Sequence, residues 1–470
     1  MTATANGIGA EFLAELRAIL GPSGLREGDA AAALDPGIEK SNLDAGVIAM
    51  PASTVEVAQV VTLCHARKIP IVTLGGRTGL ARAGVSAPGQ LVLLTTRLNR
   101  ISSIDVAAGT ADVEPGVTLS ALAAAAAPHG LTPAIDLGAR DSCTIGGLIG
   151  TNAGGMEAHR HGPMRRRVLG LEAVLPDGSV LSDLKSIIKN NEGYDLKQLF
   201  IGGEGTLGVV TRAILKLEPD PGERAIAYCH VTDADAAIAV LARLTRLPGG
   251  VVLTRAEIMW REHVDLTAKA NGLAHLCVPA GATASVIFEA ASHEPGAAQV
   301  ALETALSAAL EADLGLIDVL LPKNAKETRD IWHIREDWAV TRAFPHGIHF
   351  DISVPLARVN GYLATLRQAV AAYRPDFNVF AISHLADGNL HVSVNADHPI
   401  PEHAEAIGDL VFAGLREMGG SISAEHGIGL MKRAALERFG DPVKLALMRT
   451  VKCALDPDGL MNPGKVVRLI

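Results

Sequence analysis

The chain has 470 residues, 48% of them apolar and 20% charged, and a formal net charge of −9. A single core stops growing at roughly 250–300 residues, so two domains are expected. The acidic balance and the lack of a long Lys/Arg run exclude a nucleic-acid footprint, Arg165-Arg166-Arg167 being the most basic spot. The five cysteines are scattered and none lies in a CxxC pair, which argues against a disulfide framework and for a reducing, cytoplasmic compartment. No basic n-region precedes an apolar run at the N-terminus, and no stretch of about 18 apolar residues occurs, so a soluble chain without signal peptide or transmembrane segment is expected.

Residues 8–20 read as a short amphipathic helix and 47–50 as a strand ending at Pro51. Ser53 and Glu56 form a capping box that opens a helix running to about His65. A strand over Ile71–Leu74 runs straight into Gly75-Gly76-Arg77-Thr78-Gly79-Leu80. Strands follow at 91–94 and 110–114, then an Ala-rich helix from about Thr118 to Ala127. Residues 138–155 are rich in glycine and hydroxyls, 168–181 read as a hairpin turning at Asp177-Gly178, and 209–217 alternate as a strand. Past Pro219-Asp220-Pro221-Gly222 the pattern becomes α+β: strands near 225–231 and 284–289, helices near 233–246 and 296–312. This texture predicts an antiparallel sheet covered by helices.

Gly203-Glu204-Gly205-Thr206-Leu207-Gly208 matches GxGxxG, but a dinucleotide fingerprint opens a helix and here a strand follows, so the Rossmann reading is rejected. Three clusters remain, at 75–79, 146–155 and 202–208. Any one of them alone is read as a tight turn. Together they offer unobstructed backbone N–H groups beside Thr, Ser and Asn donors, which suits a pyrophosphate.

These clusters, with Pro51-Ala-Ser-Thr-Val-Glu, Val113-Glu114-Pro115-Gly116, Cys143-Thr144-Ile145-Gly146-Gly147, Thr151-Asn152-Ala153-Gly154-Gly155 and Tyr194-Asp195-Leu196, resemble the FAD-binding domain of the vanillyl-alcohol oxidase and p-cresol methylhydroxylase superfamily. The resemblance runs through nearly the whole chain in order. It implies an α+β fold: a two-subdomain FAD-binding domain of p-cresol methylhydroxylase type plus an α+β substrate (cap) domain with an antiparallel sheet. FAD would meet Leu74, Gly75, Gly76, Arg77, Thr78, Gly79 and Leu80 at its pyrophosphate. Gly138, Asp141, Ser142, Thr144, Ile145, Gly146, Gly147, Gly150, Thr151, Asn152, Gly154, Gly155 and Arg160 would line the ribityl chain and flavin. Glu204, Gly205, Gly208 and Val209 would meet the adenosine half or flavin edge, and Asn462 the flavin edge. Residues 74–82 hold no His, so the resemblance implies non-covalent FAD; Arg160-His161-Gly162 departs from the Arg-Tyr-Gly common in relatives.

The C-terminal half carries Ser383-His384-Leu385-Ala386-Asp387-Gly388-Asn389-Leu390-His391 and, later, Ser423-Ala424-Glu425-His426-Gly427-Ile428-Gly429. Asp387-Gly388 is a turn signal, so His384 and His391 can flank one turn. Two imidazoles and a carboxylate suit a zinc-like ion with an open position. Any one of these histidines alone reads as a packed core residue.

Both strings resemble motifs of the D-lactate and D-2-hydroxyglutarate dehydrogenase branch. That implies His384, His391 and Glu425 as ligands of a divalent metal, usually taken as zinc, with His426 as the catalytic base or its polar neighbour. Arg335, in the helical Arg329–Glu336 stretch, matches an Arg that contacts a substrate carboxylate in that branch; its bland alternative is a salt bridge with Glu336 or Asp330. Relatives that take hydroxyglutarate carry Lys and Asn where this chain has His349 and Ser393, the remaining substrate candidates. Both changes remove groups suited to a second carboxylate, which leaves D-lactate, D-malate and D-2-hydroxyglutarate types open.

The expected organisation is an FAD domain over 1–220, a substrate domain over 221–415 and a segment, 416–470, returning to the first. The expected reaction is metal-assisted oxidation of a D-2-hydroxy acid by hydride transfer to flavin N5. Electrons would pass to an electron-transferring flavoprotein, a cytochrome or a quinone, and a homodimer stays among the open assemblies. The rival readings are an oxidase of the same family using O2, a metal-dependent hydrolase and a non-enzymatic nucleotide-binding module.

Overall fold

The computed structural model describes residues 7–469. The chain forms two compact units: the first comprises residues up to Gly155, His161–Asp220 and the stretch from Glu425 onward, and the second comprises Met156–Arg160 and Pro221–Ala424.

In the first unit β1 (Leu25–Glu27), β2 (Val47–Ala49), β3 (Ile71–Leu74) and β4 (Leu91–Leu94) form a sheet in the order β1-β2-β4-β3. The pairs β2/β4 and β3/β4 are parallel. Parallel strands need a covering crossover, and the helix Thr54–Arg67 supplies it, burying Val57, Val60, Val61 and Cys64. Ser53 caps that helix by accepting from the Glu56 amide (3.1 Å), as the capping box predicts. A second sheet of β5 (Ile101–Asp105), β6 (Thr110–Val113), β8 (Val168–Val174), β9 (Val180–Asp183) and β10 (Val209–Lys216) is antiparallel throughout, in the order β5-β6-β10-β8-β9. A two-residue ladder joins β7 (Leu131–Thr132) to β11 (Glu218–Pro219). The two sheets have separate cores, one built on Val57, Ile71 and Leu91, the other on Leu122, Leu148 and Leu171. That is the two-subdomain construction expected of the FAD-binding part.

The glycine-rich stretch 138–155 hides a helix, Ile145–Thr151. Glycines disfavour helix, but Ile145, Leu148 and Ile149 share one buried face, and tertiary packing overrides propensity. The C-terminal segment returns to β3, where Met461 bridges Ile71 in parallel. The buried Lys452 ammonium holds it there, donating to the carbonyls of Thr206 (2.7 Å) and Met461 (2.8 Å) and pairing with Asp456.

The second unit is built on one seven-stranded sheet, all antiparallel: β12 (Glu223–Val231), β13 (Val252–Trp260), β14 (Ala284–Ser292), β15 (Leu316–Leu320), β16 (Ile348–Ser353), β17 (Asn378–His384) and β18 (Asn389–Asn395), in the order β15-β12-β14-β13-β17-β18-β16. β14 is buried along its whole length, so both faces of the sheet are covered. On one face Tyr228, Met259 and Ile287 pack with Val264 and Ala268 of the helix Arg261–Ala270 and with Ile331 and Ile334 of the helix Ala325–Glu336. Among the described residues no helix is long and apolar enough to cross a membrane, and all five cysteines are free.

Candidate functional site

In the first unit the three glycine clusters converge. A Cβ on Gly75 would lie 2.3 Å from the Thr144 hydroxyl, and one on Gly76 would lie 2.0 Å from the Ser142 carbonyl oxygen, so at Gly76 the first loop passes the second at backbone contact that only glycine permits. The second and third clusters are joined by the Glu204 amide donating to the Gly150 carbonyl (2.9 Å) and the Gly202 amide to that of Ile149 (2.9 Å). Thr73 Oγ1, Arg77 Nε and Thr144 Oγ1 are buried there without a partner among the described residues. Buried polar atoms are normally satisfied, so three orphans beside a glycine cradle fit a polar ligand that supplies its own donors and acceptors. A dinucleotide such as FAD meets that description. Thr73 escaped the sequence reading; its signal is the one hydroxyl in Ile71-Val72-Thr73-Leu74.

Other expected cofactor residues are spent inside the protein. Asn462 accepts at Oδ1 from the Thr73 amide (2.8 Å) and donates from Nδ2 to the Glu204 carbonyl (2.7 Å), so its amide pins two loops at both ends rather than reaching out to a flavin edge. Val209 is fully buried in the core of the β3/β4 sheet, and a Cβ on Gly208 would meet the Val174 carbonyl at 2.7 Å, so packing fixes both. Thr151 donates to the Gly147 carbonyl within its own helix, and Asn152 accepts from the Arg165 amide. Asp141 and Ser142 are exposed, and Gly138 has open space around it. Arg160 is exposed and falls in the second unit, unlike the rest of the expected cofactor set.

Glu204 has the most constrained surroundings of the set. It is buried and adopts a left-handed φ of 48°, and its two carboxylate oxygens accept from the amides of Ile428 (2.6 Å) and Gly429 (2.8 Å). Gly427 has a left-handed φ of 80°, and a Cβ there would lie 2.7 Å from Glu204 Oε1, so a side chain at this position would be strained. Glu204 therefore clamps the loop that follows Glu425 and His426 instead of offering its carboxylate to a ligand. Burial pushes its pKa up to about 7, against the pull of the two amides and of Lys432. The folded pKa lies above the unfolded value of about 4.5. The associated stability is therefore complete below pH 4.5 and lost as pH rises through 7, up to about 3 kcal/mol. Glu204→Gln should flatten that loss: melting scans from pH 5 to 8 should show a fall for the wild-type protein and little for the variant, and parallel curves would remove Glu204 as the titrating group.

In the second unit strand register does the assembling. Directly paired residues project from the same face of a sheet. Glu257 of β13 pairs with His384 of β17, which pairs with Asn389 of β18. Ile382 pairs with His391, which pairs with Asp351 of β16; Phe380 pairs with Ser393, which pairs with His349. One face thus presents Glu257, His384, His391, Asp351, Ser393 and His349. The two strands bearing His384 and His391 meet at the Asp387-Gly388 turn, and their rings stand edge-on with centroids 5.3 Å apart.

Two acids on this face were not singled out from the sequence. Glu257 has no exposed side-chain surface; Oε1 lies 2.8 Å from His384 Nδ1 and Oε2 accepts from Arg335 Nε at 2.8 Å. Burial drives its pKa up, but His384 and Arg335 outweigh burial and hold it below the usual carboxylate range. Arg335 therefore pairs with neither Glu336 nor Asp330, and its two Nη atoms carry no hydrogen bond among the described residues. Asp351 is also buried: Oδ1 accepts from Asn389 Nδ2 (2.9 Å) and lies 3.9 Å from His391 Nδ1, and Oδ2 accepts from the Ala424 amide (3.2 Å). His349 is exposed, and Ser393 Oγ accepts from Asn395 Nδ2 (2.9 Å).

Glu425 follows Ala424 directly; in the first unit its Oε1 accepts from the Gly155 amide (2.6 Å), and His426 is half-buried. The only sequence signal for Glu257 is a charge inside the otherwise apolar run Ala256–Trp260.

Comparison with known proteins decides the kind of ligand the cradle takes. Residues 45–183 match the family described as FAD binding domain, and residues 220–466 that described as FAD linked oxidases, C-terminal domain. The chain belongs to the FAD-linked oxidase family. It is 34% identical over 424 residues to a protein named D-2-hydroxyglutarate dehydrogenase, mitochondrial, from Bos taurus, covering 90% of this chain and 76% of that one. It is 32% identical over 426 residues to a D-2-hydroxyglutarate dehydrogenase from Stutzerimonas stutzeri (strain A1501), covering 89% of this chain and 90% of the other. The fold is similar to that of p-cresol methylhydroxylase, with a TM-score of 0.74 at 18% identity over 98% of this chain and 97% of that structure. It is similar as well to alkyldihydroxyacetonephosphate synthase, with a TM-score of 0.70 at 16% identity over 97% and 85%. Like its relatives, this FAD-linked oxidase family member is an oxidoreductase, which sets aside the hydrolase and the non-enzymatic module.

Proposed function

We propose that this FAD-linked oxidase family member oxidises a D-2-hydroxy acid to the 2-oxo acid, with a divalent metal, zinc by its donor set, held by His384, His391 and Glu425. The observation that carries the reading is the edge-on His384/His391 pair on one sheet face with Arg335 anchored behind it. Two neutral imidazoles and a carboxylate suit such an ion, and a guanidinium suits a carboxylate bidentately. The names of the relatives favour a hydroxyglutarate-type acid. His349 and Ser393, opposite one another on β16 and β18, are the positions expected to set preference among lactate, malate and hydroxyglutarate types.

His384, His391 and Glu425 would hold the metal, which would supply Lewis acidity toward the substrate hydroxyl, and FAD would supply the two-electron sink. Arg335 orients the substrate carboxylate through its Nη atoms. His426 takes the hydroxyl proton, a task an imidazole performs near neutral pH. FAD is non-covalent in this reading, since no His lies in the first loop. The reduced protein passes its electrons to an electron-transferring flavoprotein, a cytochrome or a quinone, without an NAD step. In this reading FAD belongs to residues 1–220 and the substrate to 221–415, with 416–470 returning to the first; the observed units divide at Ala424 rather than at 415.

An anaerobic panel of D- and L-2-hydroxy acids mixed with the yellow protein tests this. D-acids should bleach the flavin, L-acids should not, and His426→Ala should slow bleaching far more than it raises the half-saturating acid concentration. A flavin that no D-2-hydroxy acid reduces would refute the assignment, and rapid reoxidation by air with peroxide formation would favour the oxidase.

A further inference from the structure

We propose that Glu257 is a positioning residue that sets, with one carboxylate, both the tautomer of His384 and the plane of Arg335. The inference rests on the reading of His384 as a metal ligand and Arg335 as the substrate's anchor, and it adds a residue to which no role has been given.

The geometry is specific. Glu257 sits opposite His384 in the β13/β17 register, so its carboxylate reaches the imidazole across one strand spacing. An ionised carboxylate only accepts, so the 2.8 Å contact with Nδ1 requires the proton to sit on Nδ1. Nε2 then carries the lone pair, which is the form of imidazole that ligates a metal. A carboxylate behind a ligating histidine fixes ring orientation and raises ligand basicity. The second oxygen accepts from Arg335 Nε–H at 2.8 Å, which leaves the far end of the guanidinium, where the two Nη atoms sit side by side, to another acceptor. A substrate carboxylate would then meet a fork whose tilt is already fixed, which lowers the entropy cost of binding. Asp351 stands in an analogous place near His391, but its 3.9 Å separation is too long for a hydrogen bond. Glu257 is thus the carboxylate that joins the two parts of the site.

The alternative is that Glu257 is only a buried ion pair, and metal affinity separates the two. The probe is Zn2+, titrated into the FAD-loaded full chain against a chromogenic chelator at fixed pH. The wild-type protein should bind one Zn2+, and Glu257→Gln should weaken binding by about 10–100-fold and raise KM for the acid. Glu257→Gln combined with Arg335→Met leaves no uncompensated buried charge and keeps the test open where the single variant folds poorly; it should show the same loss of Zn2+ affinity. Folded variants with wild-type Zn2+ affinity would overturn the role of Glu257. A wild-type protein that binds no divalent ion would defeat the metal reading instead, and a metal-binding wild type beside weakened variants supports both.

Discussion

Removal of divalent ions is expected to lower turnover by about 10²–10⁴-fold while the flavin spectrum stays unchanged. The size follows from the several kcal/mol that a metal contributes when it polarises an oxygen, at about 1.4 kcal/mol for each factor of ten. The 2-hydroxyl of a hydroxy acid is a weak acid, and a metal ion bound to its oxygen supplies the positive charge that stabilises the alkoxide. His426 acting alone would have to remove a proton from an unpolarised alcohol, at a large mismatch of pKa. The flavin should remain because the candidate residues of its cradle, Gly75, Gly76, Arg77 and Thr144, are separate from the proposed ligands. The measurement is anaerobic flavin bleaching by a D-2-hydroxy acid before and after dialysis against a chelator, with metal content determined by atomic emission. Re-added Zn2+ should restore the rate, and His384→Ala should behave like the stripped protein and not be rescued. Full-rate bleaching in protein shown to be metal-free would end the metal's role.

What the sequence announced and what it hid divide along contact distance. Short-range signals were readable: the Ser53 cap, the Asp387-Gly388 turn that brings His384 and His391 together, and the hairpin at Asp177-Gly178 all rest on residues a few positions apart. Family motifs carried the rest of the expected site, and the fold they implied is the one observed. Glu257 and Asp351 were hidden because they join the site only through strand register, 127 residues from His384 in one case, and periodicity says nothing about which strand pairs with which. The Ile145–Thr151 helix was masked by its own glycines. Glu204 and Asn462 were legible as residues but not as roles: each is turned inward by partners, the Ile428 and Gly429 amides and the Thr73 amide, that come from distant segments.

Arg335→Ala should damage stability and catalysis through two separable routes. Its guanidinium is the partner of a carboxylate with no exposed surface, so removing it leaves Glu257 with His384 alone. Breaking a buried pair on one side costs about 3–5 kcal/mol. At roughly 2–4 °C per kcal/mol for a unit of this size, the second unit's melting transition should fall by about 6–20 °C. The kinetic route is the loss of the Nη fork, which should raise KM and lower kcat together, since a substrate carboxylate held loosely also misplaces its α-carbon. Arg335→Lys restores a charge but neither the Nε contact nor the fork, so it should recover part of the stability and little of the rate. The double variant Arg335→Ala, Glu257→Gln separates the routes: with the stranded charge gone, the melting temperature should climb back toward the wild-type value while KM stays high. A double variant that regains both would mean that Arg335 acts only by folding the unit, and Arg335→Ala with wild-type KM and kcat would leave the substrate's carboxylate without its proposed anchor.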